Sequence, residues 1–432
     1  MSAAHTEPRL RCIRCHTELD PGLLGGGCPA CAARGLPSNA TTDYDLEAAA
    51  NDFQEALRGP IPSPGRYSAL LPVSAEQLTS PDAGDTPLLA APRLAAELGL
   101  RQLWIKDESQ GPTWSFKDRA ASIAAAHAQA LGRPGLVAAS TGNAAAATCA
   151  HARRAGLGAL VLFSLGVDPL MSEFVRAYRC EVVSAPTKAD RWRLMDRCVA
   201  ELGLYPNSNF ADPPVGNSPY AIDGYKPIGY EIYEQLGCRL PSDVYFPVCY
   251  GDALWGVWHA FKELEGMGLL GGDGYSGRLP RLSGGEAQGT LERALATDAE
   301  TLAPPESPHE TLALSIAGGP STWQALTAVR DSGGRVSRTS DPELLDAQAL
   351  LAEREGIFAE TASAVGLAAL VADLGSGALS PDSEVVLVNS SSGVKSVGAT
   401  PDLPEPPLVE SFEELLEAVG TSFALTTSRR ST

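Results

Sequence analysis

The sequence predicts an α/β protein with parallel sheets. From Asp85 onward strand-like and helix-like segments alternate, a pattern typical of parallel strands joined by crossover helices. The strand candidates lie at 135–139, 159–164, 181–184, 243–248, 281–285 and 384–389. Alanine-rich helical runs at 144–155 and 344–355 lie between them. With 432 residues, 44% of them hydrophobic, the chain can build a substantial core in two or three domains.

The overall charge and the cysteine count narrow the class of protein. A net charge of −19 argues against nucleic-acid and membrane-surface partners, because no basic stripe is available to pair with phosphates. No apolar run of about 18 residues predicts a membrane span, and the N-terminus lacks a secretory apolar segment. Nine cysteines, an odd number, favour a reducing compartment over a disulfide framework. The expected location is the cytoplasm.

The first cysteines of the chain form two close pairs, separated by a glycine-rich turn. These pairs are Cys12-x-x-Cys15 and Cys28-x-x-Cys31. Each pair can supply two thiolates to one tetrahedral ion, so the spacing predicts structural zinc in a zinc-ribbon-like extension over residues 1–36. His16 is a competing ligand, but the four cysteines already fill the coordination shell. A degenerate ribbon without metal, or incidental thiols, is the alternative.

Residues 37–84 are predicted to form a connecting arm. Prolines at 60, 62, 64, 72 and 81 forbid long regular elements there, because proline lacks a backbone N–H and fixes its own φ angle.

A lysine follows the next strand-like run, 103–106, and a polar turn at 109–112. The segment continues as Gly-Pro-Thr-Trp-Ser-Phe-Lys-Asp-Arg, residues 111–119, and a helix is expected to begin near Lys117. The positive end of a helix dipole disfavours an ammonium, so this position predicts a lowered lysine pKa. A neutral amine can attack an aldehyde and form a Schiff base. The alternative is a surface lysine in a Lys-Asp-Arg charge cluster.

Three further segments, in which a strand leads into a loop, contain candidate binding residues. Ser140-Thr-Gly-Asn143 joins a strand to a helix, and such a turn presents free N–H groups to a carboxylate; an ordinary helix N-cap is the alternative. The segment 245–256 is a second unit of this kind, in which Asp252 is expected as an N-cap, with a plain αβ connection as the alternative. The segment 385–395 ends a buried strand in Asn-Ser-Ser-Ser-Gly, and a polar turn is the alternative there.

The pattern Gly-Pro-Thr-x-Ser-Phe-Lys-Asp-Arg resembles the pyridoxal-phosphate lysine motif of threonine synthases, within the tryptophan synthase β type of pyridoxal-phosphate enzymes. Segments 223–227, 316–323 and 356–363 resemble that family in the same order. The resemblance implies two three-layer α/β domains: a large pyridoxal-phosphate-binding domain from 85–131 and 219–400, and a small mobile domain from 132–218. An acidic tail covers 401–432, with a helix expected over 411–418.

The resemblance also assigns roles to single residues. Lys117 would bind the cofactor and then remove the substrate α-proton, and Ser390 would face the pyridine nitrogen, with Ser391 and Ser392 as rivals. The cofactor-binding set is Lys117, Phe116, Asn143, the phosphate-loop residues Val248, Cys249, Tyr250, Gly251, Asp252 and Ala253, and Ser390. The substrate-binding set is Ser140, Thr141, Asn143, Asn207 and Ser208. Glu360 would lie below the cofactor ring.

The expected reaction converts O-phospho-L-homoserine and water to L-threonine and phosphate, in a homodimer. Two departures from the family pattern concern the substrate. The stretch 209–221 has no arginine or lysine to grip its phosphate, which leaves Asn207, Ser208 and Lys226 as partial substitutes; Trp114 stands where a small residue is usual. The alternatives are serine or threonine dehydration, diaminopropionate ammonia loss and a cysteate synthase-like β-replacement. A non-catalytic relative that binds an amino acid or a protein through the ribbon is a hypothesis of another class.

Overall fold

The strands and helices alternate along most of the chain. The structure, a computed structural model, describes residues 7–271, 277–305, 307, 309–396, 408–409, 411 and 414–415. The strands are β1 (Arg9–Cys12), β2 (Glu18–Leu19), β3 (Ala40–Asp43), β4 (Leu88–Ala90), β5 (Gln102–Asp107), β6 (Gly135–Ala138), β7 (Gly158–Ser164), β8 (Glu181–Ala185), β9 (Tyr205–Pro206), β10 (Asp243–Pro247), β11 (Arg281–Glu286), β12 (Val336–Arg338) and β13 (Glu384–Asn389). The helices are α1 (Pro29–Ala32), α2 (Leu46–Ala56), α3 (Pro92–Leu98), α4 (Lys117–Ala130), α5 (Asn143–Arg154), α6 (Pro169–Ala177), α7 (Lys188–Leu202), α8 (Pro219–Ile222), α9 (Lys226–Gln235), α10 (Asp252–Gly266), α11 (Thr290–Ala296), α12 (Trp323–Ser332), α13 (Asp341–Glu355) and α14 (Thr361–Gly375).

The largest sheet has six strands in the order β12-β11-β10-β13-β5-β4. All its neighbours are parallel except β4, which pairs with β5 in the antiparallel sense. Strands β10 and β13 are buried along their whole length, as expected for a sheet covered by helices on both faces. The carboxyl ends of β5, β10 and β13 lie at one edge, where open α/β sheets bind ligands.

A second sheet has four parallel strands in the order β8-β7-β6-β9. In sequence, all four strands lie between β5 and β10 of the large sheet. The carboxyl end of β6 leads through residues 139–142 into α5. The predicted α/β class with parallel sheets is confirmed.

A three-stranded antiparallel sheet, β2-β1-β3, precedes both. Its third strand comes from beyond residue 36, because residues Ala40–Asp43 pair with Arg9–Cys12. The expectation that the arm lacks long regular elements is wrong for its first part, where α2 runs for 11 residues. The prolines all follow α2, and the segment that contains them forms only short 3₁₀ turns, 65–70 and 75–77.

Helix α4 connects the cores of the two larger sheets. Ala120, Ile123 and Ala126 pack into the cluster on the six-stranded sheet. Ala124 and Ala125 pack into the cluster on the four-stranded sheet, together with alanines of α5. Alanine side chains allow this close approach of neighbouring elements on several sides of one helix, and alanine also has the highest helix propensity. The first residue of α4 is Lys117, so the candidate lysine lies where the two cores meet.

The chain forms two units, Met1–Val397 and Gly398–Thr432, and all the elements named above lie in the first. Of the acidic helix predicted over 411–418, only residues 411, 414 and 415 are among the described residues. No helix of the described part of the chain is long and apolar enough to cross a bilayer.

Candidate active site

The Lys117 side chain lies at the amino end of α4, as the sequence predicts. It is partly buried, and its Nζ atom donates a hydrogen bond to the Tyr225 hydroxyl at 3.2 Å. Nζ also lies 4.8 Å from the centre of the Phe116 ring. Among the described residues no carboxylate forms an ion pair with this amine. The helix therefore fixes the backbone of Lys117, but no carboxylate of a described residue forms an ion pair with its amine.

Tyr225 is a residue that sequence reasoning missed, because its position depends on a close backbone contact. A Cβ atom at Gly224 would lie 2.4 Å from the Arg119 carbonyl oxygen. Only glycine therefore allows the 223–225 turn to pack directly on the first turn of α4. That contact brings the Tyr225 ring, fully buried, against Phe116 and Lys117.

The expectation of a lowered lysine pKa is wrong for the amine in this structure. Burial lowers the pKa of Lys117, but the nearby Tyr225 phenol and Asp252 carboxylate outweigh it and leave the pKa raised. The helix-dipole argument failed because it considered only the element that carries the lysine. Acceptors contributed by distant segments decide the sign.

The predicted phosphate loop joins β10 to α10. Gly251 is the helix N-cap at φ 72°, and a Cβ atom there would lie 2.4 Å from the Ala325 Cβ atom. Both the left-handed φ and the close contact require glycine at this position. The first N–H groups of α10 have no intrahelical acceptor, so they form a ready site for an anion.

The carbonyl groups of the same loop are held from the opposite side. Ser321 Oγ donates to the Cys249 carbonyl oxygen, and Thr322 Oγ1 donates to the Tyr250 carbonyl oxygen at 2.6 Å. Because a peptide carbonyl and its following N–H point in opposite directions, fixing the carbonyls orients the amides of Tyr250 and Gly251 away from residues 321–322. The segment 316–323, identified only by resemblance in the sequence, thus has a physical role as the support of this loop.

Asp252 is not the helix N-cap that the sequence suggested; it is the first residue of α10. Its Oδ1 atom accepts hydrogen bonds from Gln324 Nε2 at 2.5 Å and from the Asn217 backbone N–H at 3.3 Å. Burial raises the pKa of this carboxyl group. Cys249 has its thiol against the Gly318 carbonyl at 3.3 Å, and burial raises its pKa to about 11, which makes it a poor nucleophile.

Ser390 lies at the carboxyl end of β13, between the two other segments of the site. Its carbonyl accepts from the Phe116 N–H at 2.9 Å, and its hydroxyl lies 2.7 Å from the Ser363 hydroxyl. The rival hydroxyls have backbone partners: Ser391 Oγ donates to the Trp114 carbonyl, and Ser392 Oγ accepts from the Val394 N–H. Ser390 therefore remains the best candidate for a group that faces the ring nitrogen.

The turn 139–142 lies between β6 and α5, as predicted. Ser140 Oγ accepts from the Gly142 N–H at 3.3 Å, and Asn143 is the first residue of the helix. The Asn143 side chain has partners on both sides: Nδ2 donates to Glu360 Oε2 at 2.7 Å, and Oδ1 accepts from Lys395 Nζ at 2.9 Å. Lys395 was missed by sequence reasoning, although it ends the segment 385–395 that was singled out.

The structure does not bring the other predicted substrate residues together with Lys117 through any described contact. Asn207 bonds to Thr148 and Asn217, and Ser208 Oγ accepts from the Ala139 N–H. Lys226 is fully buried and bonds to Glu263 at 2.8 Å, so its charge is already compensated. Of the three residues proposed to replace the missing arginine, none presents an unengaged cation.

The four N-terminal cysteines form one compact group. Their Sγ atoms all lie within 4.8 Å of one another, with Cys12 and Cys31 at 3.6 Å and Cys15 and Cys28 at 3.8 Å. A tetrahedral zinc ion with Zn–S bonds of about 2.3 Å places its sulfurs about 3.8 Å apart. The four thiols therefore fit a structural zinc ion.

The residues present also fit pyridoxal phosphate. The donor set matches the cofactor's chemistry: an amine free of ion pairs for the aldehyde, a cradle of helix-terminal amides for the phosphate, and a neutral hydroxyl for the ring nitrogen. Backbone amides stabilise a dianion without requiring a lysine side chain in the loop. The fold and the site together define an α/β enzyme that depends on pyridoxal phosphate.

Comparison with known proteins leads to the same class. The family described as "Pyridoxal-phosphate dependent enzyme" matches residues 79–391. The threonine synthase of Methanosarcina acetivorans is 32% identical over 408 residues, which cover 93% of this chain and 95% of that protein. The threonine synthase of Methanocaldococcus jannaschii is 32% identical over 406 residues, 92% of this chain and 95% of that protein.

Solved structures show the same fold. Maize serine racemase, at 21% identity, has a TM-score of 0.60 and covers 71% of this chain and 88% of that one. The fungal L-serine ammonia-lyase from Rhizomucor miehei, also at 21% identity, has a TM-score of 0.60 and covers 73% of this chain and 96% of that one. The chain belongs to the threonine synthase family of pyridoxal-phosphate-dependent enzymes. The prediction of a pyridoxal-phosphate-dependent lyase is confirmed.

Proposed function

We propose that this protein converts O-phospho-L-homoserine and water to L-threonine and phosphate. The observation that carries the proposal is Lys395, a cation outside the phosphate loop that bonds to Asn143 at 2.9 Å. An anionic substrate needs such a second positive position, because the amides of the loop are already matched to the cofactor phosphate. The relatives that bear the name threonine synthase over nearly the whole chain support the same reaction.

The residues of the chain have the following roles in this proposal. Bound pyridoxal phosphate supplies an electron-withdrawing ring that stabilises negative charge at the substrate α-carbon. Lys117 Nζ would hold the cofactor aldehyde, and as a free amine it would remove the α-proton of the substrate. Ser140, Thr141 and the amides of their turn bind the substrate carboxylate, with Asn143 between carboxylate and cofactor. The Ser390 hydroxyl would donate to the ring nitrogen of the bound cofactor without adding charge.

Lys395 binds the phosphate that leaves. A β-proton is removed and phosphate leaves the γ-carbon; water then supplies the hydroxyl at the β-carbon, and a proton is added at the γ-carbon. The phosphate must therefore be bound while its bond to the γ-carbon breaks. A lysine ammonium provides a point charge for this anion. Glu360 accepts from Asn143 and Ser315 and so fixes the side chain that orients Lys395.

Activity on O-phosphohomoserine should fall as the pH rises above the pKa of Lys395. Burial lowers the pKa of Lys395 to about 8, so the positive charge is present below that pH and is lost above it. We expect kcat/KM for O-phosphohomoserine to fall about tenfold per pH unit above the pKa, as a single proton equilibrium dictates. The measurement is a pH profile of phosphate release.

The matched variant for this profile is Lys395→Met, which keeps the length of the side chain. It should lower kcat/KM by about ten- to a hundred-fold near pH 7, because a charge-assisted hydrogen bond contributes about 1.5–3 kcal/mol. In the variant, kcat/KM should no longer show the fall at alkaline pH that we expect Lys395 to cause in the wild type. An unchanged alkaline limb in the variant would assign that titration to another group.

A second candidate function, a related reaction on an unphosphorylated or differently activated amino acid, is favoured by the aromatic pair beside Lys395. Trp114 stacks on Phe174 at 5.4 Å with 15° between the rings, and the Lys395 ammonium lies 5.8 Å from the Phe174 ring. The face of an aromatic ring offers no hydrogen-bond donor to a phosphate and repels its negative charge, whereas a small uncharged or cationic side chain can lie against it. Serine, threonine and diaminopropionate deamination and a cysteate synthase-like β-replacement are the reactions of this type.

One set of assays separates the two candidates. Phosphate release from O-phosphohomoserine is measured beside ammonia release from serine, threonine and diaminopropionate, and beside sulfite-dependent consumption of a β-substituted amino acid. Phosphate and threonine in equal amounts would support the proposed reaction. Ammonia alone, or turnover that requires sulfite, would show that threonine synthesis is wrong.

Three predictions about organisation belong to the same proposal. We expect structural zinc at the four cysteines, a small mobile domain over 132–218, and a cytoplasmic homodimer. The cysteine geometry supports the first, and the separate four-stranded sheet within these bounds supports the second. Light scattering on the purified protein tests the homodimer.

A further inference from the structure

We propose that the N-terminal ribbon positions the cofactor-phosphate loop, and that Asn39 and Gln324 are the positioning residues that connect the two. The ribbon is here the sheet β2-β1-β3 with its four cysteines, and the loop is residues 248–253. This inference rests on the placement of the cofactor phosphate at that loop. It does not depend on the identity of the substrate.

The first connection consists of contacts between Cys12, Ser38, Asn39 and Gln324, the last of which contacts the loop. Cys12 Sγ contacts Ser38 Oγ at 3.7 Å, and the Ser38 carbonyl accepts from the Cys28 N–H at 2.8 Å. The next residue, Asn39, accepts at its carbonyl from the Ile13 N–H, so its backbone is fixed between the two cysteine pairs. Its side chain then leaves the ribbon, and Nδ2 donates to Gln324 Oε1 at 3.3 Å.

Gln324 in turn forms hydrogen bonds with two residues of the loop. Its Nε2 atom donates to the Asp252 carboxylate at 2.5 Å and to the Tyr250 carbonyl at 3.3 Å. Asn39 Nδ2 also donates to the Asn217 carbonyl at 2.9 Å, and the Asn217 N–H donates to the same carboxylate. Asn39 and Gln324 are 1% and 0% exposed, respectively. Water therefore does not replace these bonds readily, and each lost partner leaves a buried polar group unpaired.

Two further contacts join the ribbon to the same region. Thr41 of β3 accepts from Trp255 Nε1 of α10 at 3.2 Å. The Arg14 guanidinium, which lies between Cys12 and Cys15 in sequence, stacks on the Trp323 ring at 3.4 Å. Trp323 directly follows Thr322, whose hydroxyl holds the Tyr250 carbonyl. The ribbon therefore contacts both the helix that begins at the loop and the segment that supports the loop.

The physical consequence is preorganisation of the amides that bind phosphate. A loop whose N–H groups already point at the anion needs no further ordering when the anion binds. These contacts fix the Tyr250 carbonyl and the Asp252 carboxylate, and so fix the amides around Gly251. Loss of the ribbon contact should weaken binding of the phosphate and leave the contacts of the pyridine ring unchanged.

The test compares pyridoxal phosphate with pyridoxal, which lacks the phosphate. In the Asn39→Ala protein, with its zinc content confirmed by elemental analysis, we expect the Kd for pyridoxal phosphate to rise about tenfold, which corresponds to about 1.4 kcal/mol. The Kd for pyridoxal, measured by absorbance titration on the same protein, should change by less than about twofold. A merely destabilised protein would lose affinity for both ligands equally.

The matched control is Asn51→Ala, the same substitution at an exposed asparagine of α2, which should leave both Kd values unchanged. Stripping the metal with a chelator should reproduce the selective loss seen in Asn39→Ala. Equal weakening for pyridoxal and pyridoxal phosphate, or no weakening in Asn39→Ala, overturns the inference. A wild type that binds both ligands equally overturns the loop placement on which it rests, whatever substrate the enzyme uses.

Discussion

The Lys117→Ala protein should be colourless after incubation with pyridoxal phosphate and should lose at least about 10³-fold in kcat. In the proposed reaction this amine joins the cofactor aldehyde and removes the α-proton, and loss of a positioned general base alone costs about 10²–10⁴-fold. The structure supports both roles, because Nζ lies 3.2 Å from the Tyr225 hydroxyl and its pKa is raised in part by the Asp252 carboxylate of the loop. Visible absorption and borohydride bleaching of the wild type are the measurements.

A control lysine distinguishes loss of the reactive amine from a general loss of positive charge. Lys262 lies on α10 with its ammonium 5.0 Å from the Trp255 ring, and Lys262→Ala should keep the absorption and most of the activity. Added methylamine provides a second check, since a small amine can partly replace the missing base in the cavity that alanine leaves. A yellow Lys117→Ala protein that is still bleached by borohydride would mean that another lysine carries the cofactor.

The Arg119→Leu protein should be destabilised by about 3–5 kcal/mol, the cost of leaving buried charges without their partner. Arg119 is 2% exposed and forms ion pairs with Glu108 and Glu231, which are each 1% exposed. Lys106 also pairs with Glu231 and is fully buried, so the wild-type cluster is balanced with two cations and two carboxylates. Leucine removes one cation and leaves the two carboxylates with one. The urea midpoint of unfolding measures the loss.

The pH dependence of that cluster has a definite sign. The nearby Arg119 and Lys106 cations outweigh burial and hold the pKa of Glu231 well below its usual value. Because the pKa of Glu231 is lower in the folded state than in the unfolded state, its ionised form stabilises the fold at any pH above the unfolded-state pKa. This stabilisation is lost as the pH falls towards and below the folded-state pKa. In the wild type this contribution should therefore survive at mildly acidic pH. In Arg119→Leu acid should partly relieve the defect, because protonation removes the excess charge.

The matched control is Arg154→Leu, which removes an arginine from an exposed pair with Asp82. Exposed pairs contribute about 0–1 kcal/mol because water and salt screen them. Its urea midpoint should therefore lie close to that of the wild type. An Arg119→Leu protein as stable as Arg154→Leu would show that the buried cluster is not required for folding, and that the leucine packs well enough to replace it.

Local sequence patterns were sufficient to predict the fold and the elements at the centre of the candidate site. The alternation of strands and helices, the start of α4 at Lys117 and the loop before α10 are encoded within a few residues, where hydrophobic period and glycine position are decisive. The two cysteine pairs likewise needed only their spacing, and their sulfurs lie together in the structure. The pattern of prolines predicted the arm less well, because prolines in its second half place no restriction on its first half, where α2 lies.

The sequence by itself thus determined the α/β class, the cysteine quartet and the position of the candidate lysine at the start of α4. The tertiary structure alone decided the surroundings of that lysine, because these depend on residues that are far apart in the chain. Tyr225 lies 108 positions from Lys117, Lys395 lies 252 positions from Asn143, and Gln324 lies 285 positions from Asn39. No local period specifies such pairs; tertiary packing brings them together, as the close contact of Gly224 with the Arg119 carbonyl does for Tyr225 and Lys117. The same packing reversed the expected sign of the Lys117 pKa shift, since acceptors from other segments outweigh the dipole of the lysine's own helix.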